Sequence, residues 1–152
     1  DIVAASAWSV FARAKHNIGA GTITLGSNTA FRLTLHTSAA SANLASIIST
    51  FTSVGNECAA TGGYTDQSLS TSWTGAASAG DSTRTFDIIT DPVITASGAA
   101  LSNVRFAVVR LSTSAGGGPL LCYAALSTSQ FDVGSSNTLT IQINANGVFT
   151  LT

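Results

Sequence analysis

The chain has 152 residues, a length that gives one domain enough interior for a hydrophobic core. Only 9% of its residues are Asp, Glu, Lys or Arg, against roughly 25% in ordinary soluble domains, while 45% are hydrophobic. So many apolar residues exclude disorder, and a formal net charge of -1 offers no electrostatic footprint for nucleic-acid phosphates or anionic lipid.

Short blocks of period-two alternation, separated by Gly, Ser and Asn clusters, predict an all-β fold, a sandwich or a barrel. Phe31, Leu33 and Leu35 alternate with Arg32, Thr34 and His36, which predicts a half-buried strand with the second set on a polar face. Ser41 is placed to cap one short helix, because Leu44, Ile47, Ile48 and Phe51 fall at i, i+3, i+4 and i+7. Gly55, Asn56, Gly62 and Gly63 mark residues 54–65 as a loop. Leu69, Thr71 and Trp73 then alternate with Ser68, Ser70 and Ser72, a second loop is expected at 74–82, and Phe86 and Ile88 flank Asp87. Residues 104–111 and 120–126 are more continuously apolar, as in strands covered on both faces or buried in an interface. Ala115-Gly116-Gly117-Gly118-Pro119 between them is expected to be a flexible turn.

At the C-terminal end, Asn146-Gly147 separates two alternating runs, 138–144 and 148–152, and predicts a hairpin. A two-residue turn would set Ile143 opposite Thr150 and mix the faces. A three-residue loop of Ala145, Asn146 and Gly147, with Gly147 left-handed, sets Ile143 opposite Phe149 and Ile141 opposite Leu151. That register makes Ile141, Ile143, Phe149 and Leu151 one buried face.

Ionisable groups are so few that candidates for catalysis can be weighed one by one. The acids are Asp1, Asp66, Asp81, Asp87, Asp91, Asp132 and Glu57, and the bases of interest are His16, His36 and Lys15. Asp87 and Asp91 are the only close carboxylate pair in the body of the chain, and Pro92 after Asp91 makes solvated turn residues the better reading than a glycosidase pair. Cys58 or Cys122 with His36 has the makings of a nucleophilic dyad, but His36 shares the polar face with Arg32, and Cys122 lies inside Leu120-Leu121-Cys122-Tyr123 as a small buried hydrophobe. Histidines at 16 and 36 and cysteines at 58 and 122 lack the paired spacing of a zinc site. No phosphate-cradling glycine motif occurs, so no catalytic residue, cofactor or metal is expected. Trp8, Trp73, Tyr64 and Tyr123 suit a sugar-binding platform in type, although packing explains such aromatics more often.

No apolar run approaches the ~18 residues of a membrane span, and Asp1-Ile2-Val3-Ala4 lacks the basic flank of a signal peptide. Two cysteines allow one disulfide at most, with their redox state left open. A surface this poor in charge self-associates unless partners cover it, which points to a component of an assembly.

Four stretches carry a resemblance when taken in order: Phe31-Arg32-Leu33-Thr34-Leu35-His36-Thr37-Ser38, Ala60-Thr61-Gly62-Gly63-Tyr64-Thr65, Val104-Arg105-Phe106-Ala107-Val108-Val109, and Asn144-Ala145-Asn146-Gly147-Val148-Phe149-Thr150-Leu151. Together they resemble the capsid decoration, or cement, proteins of tailed bacteriophages. The resemblance spans residues 22–152, expected as one β-sandwich domain, and leaves residues 1–21 as an N-terminal arm or extension. It implies a jelly-roll-like antiparallel sandwich that binds the outside of an icosahedral shell in the virion, after synthesis in the host cytoplasm. The implied partner is the major capsid protein, with self-association into a dimer or trimer, no nucleic acid, no membrane and no enzymatic activity. Residues 39–51 depart from the family as an inserted helix-like element. Two further functions fit the residues: a phage tail, neck or head-fibre subunit, and a carbohydrate-binding β-sandwich module.

Overall fold

The computed structural model describes residues 2–4, 7–26, 30–74, 83–112 and 118–151. The loop expected at 74–82 and the turn expected at 115–119 therefore lie largely outside the described residues. In chain order the first half contains β1 (Ile2–Ala4), β2 (Ser9–Val10), α1 (Ala12–Gly19), β3 (Phe31–His36), α2 (Ser41–Leu44), β4 (Gln67–Ser68) and β5 (Thr71–Thr74). The second contains β6 (Arg84–Ile88), β7 (Val93–Thr95), β8 (Leu101–Val104), β9 (Phe106–Leu111), β10 (Leu120–Ala125), β11 (Phe131–Val133), β12 (Thr138–Gln142) and β13 (Phe149–Leu151).

These strands make an all-β, sandwich-like fold of several sheets with two short α-helices among the described residues. The largest sheet runs β2-β10-β9-β3-β4, with β9 antiparallel to both β3 and β10. Around it stand β13-β6-β5, β1-β12-β7 and the pair β11-β8. Among the described residues pairing is antiparallel except between β1 and β12. The continuous apolar runs are the central strands: Phe106 to Arg110 are all buried, as are Leu120, Leu121, Cys122 and Ala124. Arg105 interrupts the first run, because its N–H and carbonyl serve His36 and Leu126 while β8 turns aside to pair with β11.

The core joins the sheets through large side chains. Phe31 on β3 meets Phe86 on β6 edge to face at 5.3 Å, and Phe86 stacks on Phe149 of β13 at 5.1 Å. Residues 7–21, expected as an extension, are packed in part against this body. Val10 and Ser9 pair with Cys122 and Tyr123, the Phe11 N–H donates to Leu121, and Phe11 and Ala14 are buried. Phe11, at the N-cap of α1, and Ala14 and Ile18 within it fall at i, i+3 and i+7, a pattern short enough to pass unnoticed in the sequence.

Two expectations are corrected. The helix expected through Leu44, Ile47, Ile48 and Phe51 lasts only from Ser41 to Leu44, and Ile47 is 87% exposed. The Ser46 hydroxyl and N–H both donate to the Asn43 carbonyl, the acceptor that the Ile47 N–H would need to carry the helix on. Ser41 is the first residue of this helix and not its N-cap; Thr37 instead accepts from the Ala39 N–H ahead of the short 3-10 turn Ser38–Ala40.

The second correction is the C-terminal hairpin, for β12 pairs with β1 and β7 whereas β13 pairs with β6. The expected left-handed Gly147 is present at φ +87°, with its N–H donating to the Asn144 carbonyl. A Cβ at this position would stand 2.6 Å from Thr85 Cγ2, so the turn lies flat on β6. The Val148 N–H then bonds the Phe86 carbonyl, which hands the strand to β6 instead of folding it back on β12. Thr150 is exposed between half-buried Phe149 and Leu151, as the alternation requires.

Candidate functional site

The face of β3 that carries Arg32, Thr34 and His36 was expected to be polar and wet, yet Thr34 and His36 are fully buried. Residues 50–66 cover that face: the Phe51 ring stands edge-on to His36 at 5.8 Å, and His36 forms a β-bridge with Glu57. The His36 Nδ1–H donates to the Gly55 carbonyl at 2.8 Å, since a carbonyl can only accept. Its Nε2 is then the acceptor for the Thr34 hydroxyl at 2.9 Å. Burial drives the His36 pKa down to about 4 against the upward pull of the Gly55 bond, so the ring is neutral near pH 7. Both ring nitrogens are occupied by these partners, and neither bonds a thiol.

Arg32 and Arg110 face each other directly across β3 and β9, an arrangement of like charges that needs a counter-ion. Asp66 supplies it from the loop before β4, one carboxylate oxygen 2.9 Å from each guanidinium. Arg110 also lies over the Phe51 ring at 4.3 Å, with its side chain only 10% exposed. Asp66 had no sequence signature for this role, because its partners are 34 and 44 positions away.

Beside this cluster opens a cleft of about 570 Å³ lined by Glu57, Cys58, Ala60, Tyr64, Thr65, Asp66 and Arg110. Tyr64 donates to Glu57 at 3.0 Å and accepts from the Leu35 N–H at 2.8 Å. Burial, reinforced by Glu57, pushes the Cys58 thiol up to about 11 and holds the Tyr64 phenol far above its ordinary range. Both groups keep their protons at neutral pH, and the cleft's polar side chains are mostly bonded to one another. Cys122 is free and buried, its thiol also pushed up by burial, and Cys58 is likewise free and buried. Asp87 sits within β6 opposite Ser72, not in a turn, and Asp91 accepts from the Ile143 N–H at 2.9 Å. That bond ties the end of β12 to the connection between β6 and β7.

A second groove, of about 420 Å³, lies where β12 ends. It is lined by Ala7, Trp8, Gln142, Asn144, Asn146, Gly147, Val148 and Phe149. The aromatics weighed as one platform are thus dispersed. Tyr64 is buried, Tyr123 packs on Phe11 at 4.9 Å, Trp73 lies across from Phe86 on β5, and only Trp8 lines this groove.

The third surface feature is an edge. β7 pairs on one side with β12 and has no strand on its other side among the described residues. Val93 on this edge is 53% exposed, and Ile89, at the start of the connection from β6, is 62% exposed. Among the described residues no cluster of His, Cys, Asp and Glu is assembled that suits a metal ion, and no helix is long and apolar enough to cross a membrane. Comparison with protein-family models, with curated proteins and with solved structures returned no match.

Proposed function

We propose that this chain is a non-catalytic virion protein that binds the outer surface of an icosahedral bacteriophage capsid and ties neighbouring major capsid subunits together, as a dimer or trimer of itself. The observation that carries the reading is the β7 edge with Val93 exposed on it and Ile89 exposed in the connection that leads to it, on a chain in which only 9% of residues are charged. An open edge offers backbone N–H and C=O groups to another strand, and free proteins normally protect such edges with charge. A protein that works covered by a partner has less need of that protection. Many modest contacts of this kind, each made only with the assembled shell, stabilise the shell by mass action and multivalency.

The test is co-sedimentation with shells assembled from the major capsid protein encoded alongside this chain. Binding is expected with little salt dependence, since few ionisable groups are available to be screened. The double variant Ile89→Lys, Val93→Lys is expected to weaken binding about tenfold or more at an unchanged melting temperature, the equivalent of ~1.4 kcal/mol or more of contact energy. Failure to bind shells, or a tenfold loss between low and moderate salt, overturns the reading. A virion stoichiometry of six or twelve copies instead of hundreds would assign the chain to the neck or tail.

A further inference from the structure

The groove at the end of β12 has a chemical character that shell binding does not use. From the position of Trp8 against the turn at Asn144 and Asn146, we infer that this groove is a binding site for a neutral saccharide.

Its lining combines one indole, one phenyl ring and three carboxamides, with no charged side chain among the described residues. The indole N–H of Trp8 and the amides of Gln142 and Asn146 have no hydrogen-bond partner among the described residues, and Gln142 and Asn146 are exposed. Asn144 uses its Oδ1 to accept from the Asn146 N–H at 2.9 Å, which leaves its Nδ2 group as a donor. The carboxamides of Gln142 and Asn146 each offer a donor and an acceptor side by side, the pattern that matches adjacent sugar hydroxyls, and Asn144 adds a further donor. An aromatic face matches the C–H face of a pyranose ring. The volume of about 420 Å³ lies within the range of small-molecule sites.

Neutrality narrows the ligand class further. A nucleotide or an acidic sugar would bring a charge that no cation among the described lining residues answers, and burying that charge without a partner is costly. The site is also built in advance. Gly147 presses against Thr85 and Phe86, the Asn144 carbonyl accepts from the Gly147 N–H, and Asp91 holds the Ile143 N–H. The backbone that carries the amides is thus pinned to β6 at one end and to the β6–β7 connection at the other, so the ordering cost of binding falls on the side chains alone.

The experiment is a glycan array probed with the full chain, followed by titration of the strongest neutral hit in a Trp73→Phe background. Trp8 is then the sole indole, because the chain has two tryptophans. Expected are a fluorescence change on binding, an affinity that varies less than twofold up to 1 M salt, and about a tenfold loss in Gln142→Ala or Asn146→Ala. Trp8→Ala should abolish binding. Since Trp8 packs partly against the core, the two exposed amide variants keep the test valid should that variant unfold. Retention of neutral sugars by an array of free oligosaccharides and by a whole polysaccharide equally would support the site; no neutral hit, hits confined to acidic glycans, or hits unaffected by both amide variants would overturn it. Gln142→Ala is expected to leave shell binding unchanged, so failure here is distinguishable from failure of the capsid reading.

Discussion

The two faces of β3 are both covered, the first completely and the second except at Arg32, but by different means. Phe31, Leu33 and Leu35 are buried among apolar side chains, with Phe31 against Phe86. On the other face Arg32, Thr34 and His36 are covered by residues 50–66, and each polar group there has a specific partner. The first face is held by area removed from water and has no preferred pH. The second is held by hydrogen bonds whose loss leaves a buried group unsatisfied, so its stability depends on protonation and on single partners.

This contrast can be broken first on the apolar side. Phe31→Ala should cost about 3 to 5 kcal/mol, a large part of the ~5 to 15 kcal/mol that holds such a domain, measured by urea denaturation at pH 7. Next comes the pH dependence of the polar side. His36 is held neutral with its pKa near 4 in the fold, against 6.5 when unfolded. The unfolded chain therefore binds the extra proton between these values, so the stabilisation is complete above pH 6.5 and declines as pH falls towards 4. The loss should reach about 3 kcal/mol. Denaturation midpoints at pH 7 and pH 4.5 measure it, and His36→Gln should flatten the slope while Phe31→Ala leaves it intact.

A smaller effect is expected from Asp66→Asn, which leaves two facing arginines without a carboxylate. Because Asp66 and Arg32 are partly exposed, solvent screening limits the cost to about 1 to 2 kcal/mol, and adding Arg32→Leu should recover part of it. The smallest is Thr34→Val, which keeps the shape and removes the hydroxyl that serves His36. It should cost about 1 kcal/mol, and an unchanged thermal melt would show that the Thr34–His36 bond contributes nothing.

The same contrast explains what was legible in the sequence. Alternation placed Phe31, Leu33 and Leu35 inside, and the apolar runs placed β9 and β10 at the centre of a sheet, because burial on an apolar face is a local property of the pattern. It misplaced His36, because whether a polar face is wet depends on a distant segment, here residues 50–66. The hairpin failed for a related reason. Asn146-Gly147 correctly marked a tight turn and a left-handed glycine, but the partner of the following strand was decided by Phe86, about sixty positions earlier in the chain. The Arg32–Asp66–Arg110 cluster and the Trp8 groove were invisible for the same cause, as each is assembled from residues that only the folded topology brings together.

The parallel pairing of β1 with β12 sets a schedule for folding. Ile2, Val3 and Ala4 are aligned with Thr140, Ile141 and Gln142, so β1 is synthesised 138 residues ahead of its partner. The β9–β10 pair, by contrast, can close as soon as residue 125 is available. Contacts of such long sequence separation slow folding, since loop-closure entropy must be met before the pairing compensates for it. Of the two pairings, that of β1 with β12 demands the larger loop closure, and until it is made the β1 edge is open to pairing with another chain.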